Sequence, residues 1–476
     1  MAKVVFIQNI WYEQLGIAYL ASVLKRAGHQ VDLFVEDAEG DLIESLRRAR
    51  PDLVAFSCTT GVHVWAQGVA REIKQALGLP IIMGGAHPTF FPQLINNSDI
   101  DIICRGEGEA AIVELANRMS SGRDYSDIPG LWVKRDGDII KNDLALLEEN
   151  LDHIPFPDRE IYYRYEFFRR DTVRHFITGR GCPFACTYCY NLRMRQLVAG
   201  KGRYLRQRSA DNVISELVTV RDHHNLKTVY FVDDTLFLDG SWSEEFLERY
   251  RSEVRLPFIC NTKVALLRDD LIAKLKRSYC HAVQFGIEAG NEEIRRKVLQ
   301  RRETNEEIIA AARALRTAGI RFLTYNMVGL PGETLDNAWE TMRLNAIIRT
   351  DFPRVSIFQP YPGTELGEYA VKLGLVDADL GMDQIDAAYF RSSVLQQPNI
   401  REMQNLQKLF LLAIRLYALR PLWARLIRLP LGRLYELVFL VSLAAQYTRA
   451  TRRSWWQVLL LGLRNLSFFR VQKRQV

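Results

Sequence analysis

Short apolar runs alternate with helix-length amphipathic segments through most of this 476-residue chain, and that alternation limits its fold more than any other feature. Neighbouring parallel strands need a crossover of a dozen or more residues, which a helix supplies. In the first 125 residues the runs fall at 4–8, 31–35, 53–57, 81–83 and 102–104. They predict a doubly wound, Rossmann-like sheet. A second series falls at 174–178, 228–232, 258–261, 283–287, 322–328 and 355–359, with helical patterns such as 209–220, 305–318 and 336–348 between them. Ser209 opens the first of these helices as a cap. Six such units predict a partial (β/α)6, TIM-like barrel and not the full eight-stranded form. Between the two series, Asp136-Gly137 marks a hairpin over 131–141, and Ile154-Pro155-Phe156-Pro157-Asp158 reads as a linker. The α/β chain therefore divides into a Rossmann-like domain over 1–130, hairpin and linker over 131–170, partial barrel over 171–365 and a helical, basic region over 366–476.

Ligands of parallel sheets bind beyond the carboxyl ends of the strands. In the first domain those ends carry Ser57-Cys58-Thr59-Thr60-Gly61, Gly84-Gly85-Ala86-His87-Pro88-Thr89 and Arg105-Gly106-Glu107-Gly108-Glu109. Three polar, glycine-rich loops thus converge on one rim.

The chain has 7 cysteines, and Cys182, Cys186 and Cys189 fall within eight positions directly after the first barrel strand. That clustering does not read as the disulfide framework of a secreted protein. The amino terminus also lacks the charged, apolar, small-residue order of a secretory signal. A cytoplasmic location is expected. Thiolates are the ligands of iron–sulfur clusters, and three of them on a four-iron cluster leave one iron open to substrate. Glycines at 179 and 181 let the backbone wrap closely. Zinc is the alternative, but it needs a fourth ligand, and the nearby His175 sits within the strand.

The spacing Cys182-x3-Cys186-x2-Cys189 resembles the radical S-adenosylmethionine (SAM) superfamily. Phe231-Val232-Asp233-Asp234-Thr235, Gly286-Ile287-Glu288-Ala289-Gly290 and Gly329-Leu330-Pro331-Gly332-Glu333-Thr334 are similar to its SAM-binding loops. The resemblance implies a [4Fe-4S] cluster on the three cysteines and SAM contacts from Tyr188, Asp233, Asp234, Glu288, Gly329, Pro331, Gly332 and Glu333. Asp233 and Asp234 would lie near the methionine amino group, Glu288 near the ribose and the turn 329–333 near the adenine. Taken singly, Asp-Asp is also a helix cap and Gly-Leu-Pro-Gly an ordinary turn.

The first domain resembles the cobalamin-binding domain that precedes this barrel in one subclass. On that resemblance Ser57, Thr59, Thr60, Gly84, Gly85, His87, Gly106, Glu107 and Gly108 would contact cobalamin. Where related domains carry an Asp-x-His-x-x-Gly motif, this chain has Asn9-Ile10-Trp11-Tyr12-Glu13-Gln14-Leu15-Gly16. No histidine axial ligand is expected, and a domain that kept its fold but lost the cofactor stays open.

Residues 401–476 hold 14 Lys/Arg against 2 Asp/Glu, leaving 49 against 54 in the rest. Arginines at 415, 420, 425, 428 and 433 interleave with Leu, Ile, Trp and Pro, the pattern of a basic amphipathic helix on a membrane surface. Such a tail would hold the protein peripherally at the inner face of the membrane. The alternative is an apolar stripe packed on the barrel with solvated arginines. So leucine-rich a tail is unsuited to nucleic acid.

The two resemblances imply a cobalamin-dependent radical SAM methyltransferase, expected to act through a 5′-deoxyadenosyl radical and methylcobalamin, and the apolar, basic tail suggests a hydrophobic, lipid-like or natural-product substrate. A one-electron reductant of flavodoxin or ferredoxin type would be its partner. A cyclase, rearrangement or coupling enzyme of the same architecture, or a non-catalytic cobalamin or metal sensor, is the competing expectation.

Overall fold

The computed structural model describes residues 1–385, 392–451 and 454–464. The chain divides into two compact units, formed chiefly by Met1–Asp171 with Leu197–Arg206, and by Thr172–Gln196 with Gln207–Leu459.

In the first unit, strands β1 (Lys3–Gln8), β2 (Gln30–Val35), β3 (Leu53–Ser57), β4 (Ile81–Gly84), β5 (Ile102–Cys104), β6 (Leu131–Arg135) and β7 (Asp138–Lys141) form one sheet. Its order is β2-β1-β3-β4-β5-β6-β7. The first five strands pair in parallel. Helices Leu15–Arg26, Val62–Leu77 and Glu109–Ser120 bury their apolar faces on it, as doubly wound sheets require. The sequence places the hairpin at the head of a connecting segment. Instead it continues the sheet, with β6 antiparallel to β5. The reason is its alternation: Leu131 and Val133 are fully buried, and their pairing covers an edge that β5 would otherwise expose.

Residues 159–170 are likewise no free linker. Short helices Glu160–Tyr163 and Glu166–Arg170 set Phe168 parallel to Trp11, ring centroids 6.0 Å apart, with Phe167 edge-on at 5.5 Å. A buried ion pair, Arg159 to Glu13 at 2.9 Å, ties this segment to the loop after β1. The prolines break regular structure there, but the aromatic residues that follow supply the packing.

In the second unit, β8 (Val173–Phe176) is followed by the two-residue strand β9 (Gly179–Arg180), and the two-residue β10 (Arg206–Gln207) lies where the chain returns from the first unit. Next come β11 (Thr228–Phe231), β12 (Phe258–Asn261), β13 (Cys280–Glu288), β14 (Arg321–Val328) and β15 (Phe352–Ile357). The order β15-β14-β13-β12-β11-β8 is parallel throughout, an open six-stranded barrel sheet. Because side chains alternate along a strand, Phe176, Phe231, Phe258, Phe285 and Phe322 join the helix-side core. Their neighbours face the other side: Tyr230 donates to Gln284 Oε1 at 2.9 Å, and His175 meets the Tyr230 ring at 5.3 Å.

The first tail helix, Ile400–Arg415, packs Met403, Leu406, Leu409 and Phe410 against Val328, Trp339, Met342 and Ile357. Here the apolar stripe covers the barrel. Beyond it, helices Arg420–Leu426, Gly432–Thr451 and Trp455–Arg464 leave Leu434, Leu437, Leu440, Val441, Trp455 and Trp456 exposed. Among the described residues no helix is long and apolar enough to cross a membrane. The end of the predicted helical region, 465–476, lies outside the described residues.

Candidate functional site

The cysteine loop leaves β8 at the carboxyl edge of the barrel sheet. Asp233, at the end of β11, anchors its root: Oδ1 accepts from Thr178 N, Thr178 Oγ1 and Gly179 N at 2.9, 2.8 and 2.9 Å. Gly181 then takes φ +92, a turn that a side chain would strain. All seven cysteines are free, and Cys182 and Cys186 are buried.

Each of the three thiols meets a polar side chain from a different element. Thr235 Oγ1 lies 3.6 Å from Cys182 Sγ, Lys263 Nζ 3.9 Å from Cys186 Sγ, and Asn191 Nδ2 3.5 Å from Cys189 Sγ. Burial raises the Cys182 thiol and pushes Cys189 up to about 11, so a metal must displace protons as it binds. Among the described residues no group of three His, Cys, Asp or Glu side chains gathers as around a single ion. A mononuclear zinc ion needs four ligands converging on one point. A four-iron cluster does not, because each thiolate takes its own iron.

Around the loop the proposed SAM residues fall into three groups. Asp233 is spent on the backbone it anchors, whereas Asp234 is exposed and accepts from Asn191 Nδ2 at 2.9 Å. Glu288 closes β13 with φ +63 and is buried; Tyr188 OH donates to its Oε1 at 3.0 Å and Arg301 Nη1 at 3.1 Å. A Cβ at Gly286 would stand 2.0 Å from Glu288 Oε1, so a side chain there would push that carboxylate aside. In the third group Gly329 and Gly332 both have positive φ, Pro331 is buried, and Leu330 N donates to Glu333 Oε2 at 3.0 Å. Burial pushes the Glu333 carboxyl up to about 8. Tyr188, Ala289 and Leu330 share one apolar cluster, which brings the cysteine loop and the loops after β13 and β14 together.

Sequence reasoning missed Thr178, Asn191, Lys263, Arg301 and Glu303, and gave Thr235 no role of its own within its motif. Arg301 bridges Glu288 and Glu303, at 3.1 Å each, and Lys263 Nζ stands 3.4 Å from Glu303 Oε1. Their long charged side chains look like surface residues in a linear reading. The one available signal was Glu303 two residues from Arg301, beyond the Gly286–Gly290 motif.

In the first unit the three rim loops are knitted by backbone. Cys58 N donates to Gly84 O at 2.7 Å and His87 N to Cys58 O at 3.0 Å. Gly85 takes φ +99, and a Cβ there would meet Cys58 O at 2.8 Å. Thr89 Oγ1 donates to Gly85 O at 2.8 Å and accepts from Gly106 N at 3.0 Å. Gly106 has φ +77, and Gly108 packs against Cys104 and Leu20. Ser57 is half-buried and Thr59 exposed, its carbonyl accepting from Val62 N.

His87 is buried, hydrogen-bonded to Thr60 Oγ1 at 3.2 Å, and stacked on His63 with ring centroids 3.7 Å apart. Burial and the neighbouring His63 push its pKa down to about 3, which keeps the imidazole neutral. His63, the second residue of its helix, was not foreseen. Glu107 pairs with buried Arg206 through both oxygens, at 2.6 and 3.0 Å, so it braces the rim.

A doubly wound sheet with a glycine-rich rim, and an open parallel barrel with a three-cysteine loop on its first strand, define a two-unit metallocofactor enzyme. Residues 176–344 match the Radical SAM superfamily and residues 10–116 the B12 binding domain. The chain is 30% identical over 372 residues to an uncharacterised methyltransferase of Pyrococcus horikoshii, covering 76% of this chain and 79% of that one. It is 23% identical to the cytidylyl-2-hydroxyethylphosphonate methyltransferase of Streptomyces wedmorensis, over 83% of this chain and 84% of the relative. In fold it is similar to the radical SAM methyltransferase TsrM from Kitasatospora setae with cobalamin and [4Fe-4S] cluster bound. That likeness has TM-score 0.67 and 18% identity, over 81% of this chain and 79% of that one. The protein belongs to the radical SAM superfamily, in the branch whose barrel follows a B12-binding domain.

Proposed function

We propose that this protein is a cobalamin-dependent radical SAM methyltransferase that methylates an unactivated carbon of a hydrophobic small molecule. The observation that carries this reading is the three-thiol loop at the barrel edge, with Cys182 and Cys186 buried and each thiol faced by a polar group from a separate element. That donor set fits a four-iron cluster, held by Cys182, Cys186 and Cys189. Tyr188, Asp234, Glu288 and the turn of Gly329, Pro331, Gly332 and Glu333 would receive SAM, with Asp233 holding the loop root. Ser57, Thr59, Thr60, Gly84, Gly85, His87, Gly106 and Gly108 would line the cobalamin, and Glu107 would brace them. The bare backbone at Gly85 and Gly106 suits close approach of a large ligand. With no histidine at 9–16, cobalamin would lack a histidine axial ligand.

When bound, these groups supply the radical that removes a hydrogen atom and the methyl group that replaces it. The chain's share is positional. Asp233 fixes where the thiols stand. The Tyr188–Glu288–Arg301 triad presents a carboxylate at a fixed height beside them, and Ala289, Leu330 and Phe358 keep water from that side. A one-electron donor of flavodoxin or ferredoxin type would reduce the cluster.

This chain's own surface supports the proposed substrate class. Leu434, Leu437, Leu440 and Val441 are exposed close to Arg425, Arg428 and Arg433 in sequence, and exposed Trp455 and Trp456 follow Arg452 and Arg453. Apolar anchors among arginines suit a peripheral anionic membrane surface, from which a lipid-like substrate would be drawn.

Anaerobic reconstitution with iron and sulfide, followed by SAM, methylcobalamin and a lipid extract, tests the reading. A product heavier by one CH2, with two SAM consumed, is expected, and Cys186→Ala should abolish SAM cleavage. Cleavage without mass gain would replace methyl transfer by rearrangement. No cleavage by the wild type would end the enzyme reading.

A further inference from the structure

Lys263 follows directly on Thr262, at the carboxyl end of β12, and Thr262 is itself fixed by donating to Leu236 O at 3.0 Å. Its ammonium stands 3.9 Å from Cys186 Sγ and 3.9 Å from the centroid of the Phe184 ring, in the same loop. Behind it lies Glu303, whose Oε1 is 3.4 Å from Lys263 Nζ and 3.1 Å from Arg301 Nη2. The Lys263 side chain is 12% exposed and that of Glu303 7%. A surface lysine wanders among rotamers and is screened. This one is held between a ring face and a carboxylate, out of bulk water, where a charge acts strongly on its neighbours.

We infer that Lys263 and Glu303 set the reduction potential of the cluster, Lys263 raising it and Glu303 lowering it. The inference rests on Cys182, Cys186 and Cys189 holding a [4Fe-4S] cluster. Reduction brings one electron from the external donor to the cluster and makes or breaks no bond. A fixed positive charge beside the Cys186 corner favours the more negative, reduced state, and a carboxylate behind it takes part of that advantage back. Net charge and hydrogen bonds to the sulfurs are among the properties that set such potentials. Lys263 also donates toward Cys186 Sγ, so charge and hydrogen bond act in the same direction.

Lys263→Met keeps the aliphatic stem over Phe184 and removes the charge; Glu303→Gln keeps the shape and removes the opposing charge. The measurement is a dithionite titration of the anaerobically reconstituted full chain without SAM, followed by the electron paramagnetic resonance of the reduced cluster, with iron counted per chain. Lys263→Met should move the midpoint to more negative potential and Glu303→Gln to more positive, while Lys263→Arg stays near the wild type. Damage to packing would instead move both variants the same way, or strip iron from both. If Lys263→Met takes up no iron, Lys263→Gln is titrated in its place. Midpoints that are unchanged or shift in the same direction, in variants with full iron content, would overturn the inference and leave the cluster in place. A wild type that takes up no four-iron cluster would overturn both.

Discussion

The carboxylate of Asp233 closes on Thr178, one oxygen accepting from both its backbone N–H at 2.9 Å and its hydroxyl at 2.8 Å. Burial pushes the acid up to about 6 even against these donors, so the site is strongly desolvated. Asp233→Ala leaves Thr178 and Gly179 unpaired in that setting, at a cost of roughly 2–4 kcal/mol. Iron uptake should fall with it, because the cysteine loop loses its root. Asp233→Asn keeps an acceptor and should lose less of both. Thermal melts and iron per chain decide; an alanine variant that melts and loads like the wild type would remove the anchor.

Arg301 carries a heavier electrostatic load. It donates to Gly286 O at 2.7 Å and compensates Glu288 and Glu303 together. Arg301→Met leaves buried Glu288 without its cation and Glu303 with Lys263 alone, and removing one partner of a buried pair costs about 3–5 kcal/mol. We expect SAM affinity to fall by at least tenfold, since Glu288 is driven further toward its neutral form. Arg301→Lys restores the charge without the forked geometry and should recover part of it. Equilibrium dialysis with SAM, on protein that retains iron, reads the difference.

The rim of the first unit gives a backbone prediction. At Gly85 a side chain meets both φ +99 and a Cβ 2.8 Å from Cys58 O, and a backbone atom cannot rotate away. Gly85→Ala should destabilise that unit by roughly 2–4 kcal/mol and weaken cobalamin uptake, followed by its visible absorbance. Gly16→Ala, where nothing lies within 4 Å, is the control and should behave as the wild type.

Strand periodicity made most of this architecture legible, since parallel strands buried on both faces read as continuous apolar runs. The six barrel strands appear in the expected order, and their ends carry the motifs. What linear sequence could not show is which acid points where. Asp233 and Asp234 are neighbours, yet one turns in to pin Thr178 and the other turns out, because successive side chains leaving a strand face opposite ways. Lys263 and Arg301 were illegible for another reason: their partners lie 77 and 13 residues away, across strands whose register only the fold sets. The hairpin shows the opposite case, where the local turn was readable and its pairing with β5 was not.

The tail separates into a packed and an unpacked part, and the unpacked part is testable. Leu437 and Leu440 are 58% and 57% exposed, so Leu437→Glu with Leu440→Glu should leave the melting temperature unchanged. Binding to vesicles containing phosphatidylglycerol should drop, because acid replaces apolar anchors beside an anionic surface. Flotation with neutral phosphatidylcholine vesicles separates apolar insertion from charge attraction. Equal flotation of wild type and variant would remove the membrane surface from the proposed function.

Glu333 makes the pH dependence of the barrel a matter of sign. Its carboxyl accepts from Leu330 N through Oε2, while Oε1 is buried without a hydrogen-bond partner among the described residues. Burial raises its pKa from 4.5 to about 8, so the folded chain holds a proton that the unfolded chain has released across that interval. Where the native state binds more protons, stability falls as pH rises. The contribution is therefore intact below about pH 4.5 and is lost progressively as pH climbs to about 8, by an amount on the order of 2–5 kcal/mol. Glu333→Gln keeps an oxygen for Leu330 N and has no proton to lose. Melts of both proteins at pH 5 to 9 should show the variant gaining on the wild type up to about pH 8 and holding a constant lead above it. A difference that stays flat across the whole range would mean that Glu333 is ionised in the folded chain, and that the turn of Gly329 and Gly332 closes around a charge.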